Sequence, residues 1–188
     1  MTQGSYDAGA NLVTCVRMKT LYLLRHAKSS WAEHGLSDKQ RPLSERGLHD
    51  APMMGERFNS RGETIDRVIS SPALRAHTTA RLFAEAAGFP PEDIVIEADL
   101  YFLGSGSIQE VILGQDDQLQ SSMLVFHNPD ITHFVNAIDY QVSIDNVPTS
   151  GLIKLNSDIE QWCDWSIAGT VFDYFDYPKN LSGEVVRK

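Results

Sequence analysis

The chain alternates between short, nearly continuous apolar runs and longer stretches in which apolar residues recur at helical spacing. Thr20 to Leu24 is the first apolar run, and its lack of polar alternation predicts a strand buried on both faces. Asp66 to Ser71 repeats the pattern, and Ile94 to Glu97, Ser122 to His127, Gly151 to Asn156 and Gly169 to Phe175 are further strand candidates. Between them, Ser44 reads as the cap of a helix reaching Phe58, weakened by Pro52 and Gly55. Leu74, Leu82, Phe83 and Ala86 form the apolar stripe of a second helix. Pro72 suits its first position, and Gly88 and Pro90 stop it. Ser107 to Leu113, Asp130 to Asp139 and Asp158 to Trp165 are the remaining helix candidates. Strands alternating with helices make βαβ units, so the expected fold is α/β with a mostly parallel sheet. Met1 to Arg17 carry no sustained periodicity and are expected to form a poorly ordered extension, with residues 18–188 a single domain.

Composition narrows the function more than the fold. Of 188 residues, 42% are hydrophobic and 22% charged, as in an ordinary soluble globular protein. The net charge of −9 argues against a nucleic-acid partner, whose backbone is held by clustered Lys and Arg. The charge is unevenly spread: residues 17–81 hold 12 basic and 7 acidic side chains, residues 82–188 hold 4 and 17. A basic segment within an acidic chain points to a compact anionic ligand, with a solvated charged face as the plain alternative. Cys15 and Cys163 make neither a disulfide framework nor a metal-spaced pair, so a reducing, cytoplasmic setting is expected. No apolar run approaches the roughly 18 residues of a membrane span, and no membrane partner is expected.

Ligands of open α/β sheets bind beyond the carboxyl ends of the strands, which directs attention to three exits. The first strand ends in Arg25-His26; the second runs through Ser70-Ser71-Pro72 into a helix carrying Arg75; the fourth ends in His127-Asn128-Pro129. Singly, each has an ordinary reading: a structural Arg–His pair, a helix-surface arginine, a satisfied core histidine. Together they put two Arg and two His on one rim, where guanidinium forks and helix N-termini suit a phosphate. His34, His49, His77 and His133 fall in loops or helices and read as surface or capping residues. Neither Cys is followed six positions later by Arg, and no Gly-Lys-Ser/Thr loop occurs, which removes two rival phosphate chemistries. Asp173 and Asp176 have no histidine cluster beside them, so no metal centre is expected.

Leu21 to Trp31 (LYLLRHAKSSW), Arg41 to Gly47 (RPLSERG), Ser70 to Ala80 (SSPALRAHTTA) and His127 to Pro129 (HNP) resemble the histidine phosphatase superfamily, and their order and spacing most resemble SixA-type phosphohistidine phosphatases. The likeness runs from about Met18 to Leu181, including Val147 to Gly151 (VPTSG) and the FDYPKNL segment around Pro178. It implies a three-layer sandwich with helices on both faces of the sheet. It also implies that His26 is a nucleophile that becomes phosphorylated, that Arg25, Arg75 and His127 hold the phosphoryl group, and that no cofactor is needed. Arg41, with Lys28 and Ser29, becomes a candidate phosphate or substrate contact. The implied partner is a phosphohistidine-carrying protein, or alternatively a small phosphate ester or sugar phosphate; a catalytically silent phosphate-binding module is the third reading. Phe126 stands where these enzymes usually carry Gly, and a repositioned backbone around an intact pocket is expected. Glu97, Asp99 and Glu110 fall where a proton-donating acid could lie, but no motif marks them, so surface charges and a preference for P–N over alkyl P–O bonds are expected.

Overall fold

The computed structural model describes residues 18–33, 35–138, 143–182 and 186–187. The expectation for Met1 to Arg17 therefore lies outside the described residues, as do those for His34 and Asp139. Seven strands form one sheet: β1 (Lys19–Arg25), β2 (Arg67–Ser70), β3 (Val95–Ile96), β4 (Ser121–Phe126), β5 (Leu152–Ser157), β6 (Thr170–Asp176) and β7 (Val186–Arg187), in the order β3-β2-β4-β1-β5-β6-β7. β1 to β4 pair in parallel, whereas β5, β6 and β7 are added antiparallel beside β1. The parallel half needs crossover helices, and α1 (Glu45–Ser60), α2 (Leu74–Ala87) and α3 (Gly104–Leu113) provide them; α4 (Asp130–Ile138) follows β4.

Alternation along the central strands sorts the core into two layers. Tyr22, Leu24, Met123 and Val125 pack with Met54, Phe58, Ala80 and Phe83 under α1 and α2. Leu21, Leu23, Leu124 and Phe126 pack with Ile108, Ile112, Ile131 and Phe134 under α3 and α4. Each of these larger side chains contributes about 1.5–3 kcal/mol by leaving water, and the two layers fix which strand ends face the same rim. Gly55, a weakness for an isolated helix, is what lets α1 close on α2: a Cβ there would lie 2.4 Å from the Phe83 carbonyl oxygen.

Three local expectations need correction. α2 begins at Leu74 with Ala73 as its cap, so Pro72 lies before the helix and not at its first position. Residues 158–165 form only a 3-10 turn at Trp162–Asp164. There the backbone N–H of Trp162 is drawn to the Asp117 carboxylate (2.7 Å) and its indole N–H to the Leu119 carbonyl (3.0 Å), contacts outside the segment that override its helical spacing. At Phe126 the β1–β4 register runs unbroken from Thr20↔Ser121 to Arg25↔Phe126, so the backbone is not repositioned; the ring points into the α3–α4 core layer. No helix among the described residues is long and apolar enough to cross a membrane.

Candidate active site

The sheet delivers His26 directly from the end of β1. Its N–H donates to the Phe126 carbonyl (3.0 Å), and the N–H of Arg25 donates to the carbonyl of Gly151 (3.0 Å). The next residue is tied to α2: the N–H of Ala27 donates to Thr79 Oγ1 (2.9 Å), whose hydroxyl donates to the Arg75 carbonyl (2.6 Å). The RPLSERG segment clamps the same loop from α1. The N–H and hydroxyl of Ser44 both donate to the Lys28 carbonyl (2.8 and 3.0 Å), and the Ser44 oxygen accepts the Gly47 N–H, capping the helix as expected. Gly47 is required because a Cβ would fall 2.3 Å from that carbonyl oxygen.

His26 is 9% exposed, and its Nδ1 lies 2.8 Å from the Ala27 carbonyl oxygen. A carbonyl can only accept, so Nδ1 carries the proton and Nε2 carries the free lone pair. Burial lowers the imidazole's pKa; the Ala27 bond opposes this, Arg75, Arg25 and Arg41 add to it, and the result is about 3. The ring is therefore neutral at neutral pH.

His127 stands beside it, with ring centroids 5.0 Å apart. It is fully buried; Nε2 lies 2.8 Å from the Ser71 hydroxyl, and Nδ1 has no hydrogen-bond partner among the described residues. Phe102 stacks on the ring at 4.7 Å and 27°, while Tyr101 meets it edge-on at 5.5 Å. Burial, reinforced by His26, Arg75 and Arg25 and opposed by Asp38, brings its pKa to about 2. His127 is thus a neutral donor or acceptor in the free protein rather than a cation.

Three arginines surround the histidines. Arg25 Nη1 donates to the Val147 carbonyl (2.5 Å) and to Asn146 Oδ1 (3.3 Å), and its buried Nε has no partner among the described residues. Buried Arg75 donates through Nη1 to the Asp38 carbonyl (2.5 Å) and through Nη2 to Asp38 Oδ2 (2.8 Å). Arg41 donates to the Ser30 carbonyl, to Asp38 Oδ1 and to Ser29 Oγ (2.6 Å), with its guanidinium 3.3 Å from the Trp31 ring centroid. Ser29 therefore supports Arg41, while the Lys28 side chain is exposed and only its carbonyl joins the network. The arrangement combines a neutral imidazole nitrogen with fixed cationic donors, a setting suited to nucleophilic attack on a phosphoryl group.

Asp38, Ser71, Thr79, Tyr101 and Phe102 belong to this cluster and were not singled out by sequence reasoning. Ser71 and Thr79 lie inside the SSPALRAHTTA segment. For Asp38 a signal was present: Ser37 and Gln40 form a capping box that starts a 3-10 turn at Asp38–Gln40 and turns the carboxylate toward Arg41. Phe102 takes φ +57°, a conformation unusual for a bulky residue and unannounced by composition. Glu97, Asp99 and Glu110 line a separate cleft of about 420 Å³ with Arg67 and Asp116, sharing none of its lining with the histidine cluster. Asp176 is ion-paired with Arg57 and Arg61, and Asp173 with Lys154. Among the described residues no group of three or more His, Cys, Asp or Glu side chains is placed to hold a metal ion.

The sequence profile of the histidine phosphatase superfamily (branch 1) matches residues 21–108. A crystal structure of the protein named SixA from Agrobacterium tumefaciens is 30% identical, covers 85% of this chain and 98% of its own, and superposes with a TM-score of 0.71. An uncharacterised chloroplast protein of Arabidopsis thaliana is 34% identical over 116 residues, 61% of this chain and 50% of that protein. A phosphoglycerate mutase of Schizosaccharomyces pombe is 33% identical over 99 residues, 52% of this chain and 46% of the mutase. The chain thus spans about half the length of these two curated relatives.

Proposed function

This chain belongs to the histidine phosphatase superfamily and is a SixA-type phosphatase, and from that premise we propose that it hydrolyses phosphohistidine on a protein through a phosphorylated His26. The observation that carries the reading is the 2.8 Å contact between His26 Nδ1 and the Ala27 carbonyl, which leaves Nε2 as a neutral nucleophile among Arg25, Arg41 and Arg75. Nε2 attacks phosphorus, the bond from phosphorus to the substrate's imidazole nitrogen breaks, and the departing imidazole takes a proton from solvent. Water then attacks the phosphoryl group on His26, the P–N bond breaks with its electron pair returning to Nε2, and phosphate leaves. The arginines balance the charge of the transferring group, so the chemistry is largely positioning and electrostatics and asks for no metal ion. His127 offers Nδ1 as a donor when Ser71 donates to Nε2. The exposed Cys163 thiol suits a reducing compartment such as the cytoplasm.

A small phosphate ester is the second reading, and the similarity to a phosphoglycerate mutase favours it. One experiment separates the two: a chemically phosphorylated histidine carrier protein and a panel of sugar and glycerate phosphates are turned over in the presence of a chelator, with base-stable phosphoryl on His26 trapped by rapid quench. Faster turnover of the carrier with label on His26 supports the proposal. Efficient turnover of an unactivated sugar phosphate with a silent carrier overturns it in favour of the second reading.

A further inference from the structure

The outer face of the arginine cage is already covered by a carboxylate. Asp38 binds Arg75 through both its side chain and its backbone carbonyl, binds Arg41 through Oδ1, and accepts the Tyr101 hydroxyl at 2.7 Å. Its side chain is 45% exposed, whereas those of Arg75 and Arg41 are 3% and 12% exposed, so the anion forms the solvent-facing layer over two nearly buried cations. Burial alone raises the Asp38 carboxyl, but the Tyr101 hydroxyl and the two guanidiniums outweigh it and bring the pKa down to about 2. The group is thus an anion, not a proton donor, throughout the neutral range.

The bonds Asp38 takes are bonds a second anion would want. All three nitrogens of the Arg41 guanidinium already donate within the protein, one of them to Asp38, and both terminal nitrogens of Arg75 donate to Asp38. A substrate bearing a carboxylate or second phosphate beside its phosphoryl group therefore meets Asp38 oxygens, two of the carboxylate and one of the backbone, where guanidinium N–H groups would otherwise be free. Three aromatic rings also stand at the cluster: Trp31 on Arg41, Phe102 on His127, and Tyr101 with the Lys39 ammonium 4.6 Å from its ring centroid. Such a setting accepts a flat, neutral ring, and the carboxylate adds attraction for a cationic one.

We infer that Asp38 is a specificity-determining residue, turning away phosphoryl donors that carry a further anionic group and favouring neutral or cationic aromatic leaving groups such as imidazole. This rests on the reading of His26 as the centre of the phosphate site, and it works by repulsion as well as attraction.

The test compares phenyl phosphate with 3-carboxyphenyl phosphate as substrates, and phenylphosphonate with 3-carboxyphenylphosphonate as non-reacting ligands, in the wild-type protein, Asp38→Asn and Asp38→Ala. The wild type is expected to favour the uncarboxylated member of each pair by about 10-fold or more. Asp38→Asn, which keeps the shape but loses the charge, is expected to shrink that preference by about 10-fold, and 1 M salt to shrink it in the wild type by screening a half-exposed charge. Lys39 is common to all three proteins, so the Asn comparison isolates the carboxylate. A preference unchanged in Asp38→Asn, with both substrates slowed equally, would show that Asp38 only holds Arg75 in place and would overturn the inference. Because the phosphonates report binding without turnover, discrimination among them with no hydrolysis of any substrate would count against the catalytic reading of His26 and leave Asp38's role standing.

Discussion

Lys19 and Arg25 stand at opposite ends of β1, and the chain treats the two cations differently. Lys19, 1% exposed, sends its ammonium to the carbonyls of Asp117 (2.6 Å) and Leu119 (2.7 Å) and lies 5.8 Å from the Trp162 ring centroid. It is enclosed by acceptors and packing, and it closes the amino-terminal end of the sheet. At the carboxyl-terminal end, Arg25 Nε, His127 Nδ1 and Ser150 Oγ are buried with no partner among the described residues, and several cationic groups crowd one place. Burial of charge is common to both ends. What separates a structural cation from a functional one is unspent bonding capacity together with like-charge crowding, which costs stability wherever it is not used.

The sharpest way to break this contrast is to remove His26, the proposed nucleophile. His26→Ala is expected to lower turnover of an activated aryl phosphate by at least about 10⁴-fold, measured in initial rates, because the covalent step has no substitute. The thermal midpoint should fall only modestly, by the loss of one nearly buried ring and its bond to the Ala27 carbonyl, with the fold intact. Residual activity above a few per cent would move the chemistry elsewhere. Arg75→Ala and Arg25→Ala should each cost about 10²- to 10³-fold, as the loss of one preorganised donor does. If either rate stays near normal, that arginine belongs with Lys19 as a structural cation.

Acid should also distinguish the two ends. Both histidines have folded-state pKa values far below the ordinary 6.5, about 3 for His26 and about 2 for His127. Between pH 6.5 and about 3 the unfolded chain binds protons that the folded chain refuses, so their contribution is full above pH 6.5 and declines as pH falls. Denaturant unfolding from pH 8 to 4 should show stability dropping below pH 6.5, and His127→Asn should flatten that slope. An equally steep slope in the variant would mean that other groups drive the acid sensitivity.

How much of this was legible beforehand follows the same physical divide. Strands buried on both faces declare themselves as apolar runs, and the strand exits carrying Arg25, His26, Arg75 and His127 could be read from those runs and their breaks. The charge excess of residues 17–81 was a blunter guide. Arg25, Arg41 and Arg75 do gather at one place, but Arg57 and Arg61 pair with Asp176, Arg46 pairs with Asp50, and Lys19 sits at the other end of the sheet. Asp38, Tyr101 and Phe102 could not be found by periodicity because they lie in turns whose side-chain directions depend on contacts distant in sequence. Residues 158–165 mislead for the same reason, their local helical spacing losing to hydrogen bonds with Asp117 and Leu119. Phe126 needs no repositioned backbone, because strand parity turns its ring into the core layer and leaves only its backbone at the histidine end.

Lys19→Met tests the structural end. It keeps the length and apolar stem of the side chain but leaves two carbonyls without their charged donor, at a cost of about 2–3 kcal/mol. Urea unfolding should report that loss while kcat and KM of the folded protein stay within about two-fold. A large fall in kcat would show that the two ends of β1 are coupled and that the contrast between them is too simple.

The smallest expected effect concerns three carboxylates. Cleaving an alkyl phosphate requires a proton for the departing alkoxide, whereas imidazole is a competent leaving group that is itself protonated near neutral pH. Asp38, the carboxylate bound to the arginine cage, is held ionised and cannot supply that proton, while Glu97, Asp99 and Glu110 line the separate cleft with Arg67. Single Ala substitutions at Glu97, Asp99 and Glu110 should therefore leave phosphoramidate turnover within about two- to three-fold of wild type. Alkyl phosphates should remain poor substrates in all four proteins. Should one of these substitutions abolish an efficient sugar-phosphate activity, the cleft would become part of the catalytic site, the small-ester reading would replace phosphohistidine, and the boundary between structural and functional charge would have to move.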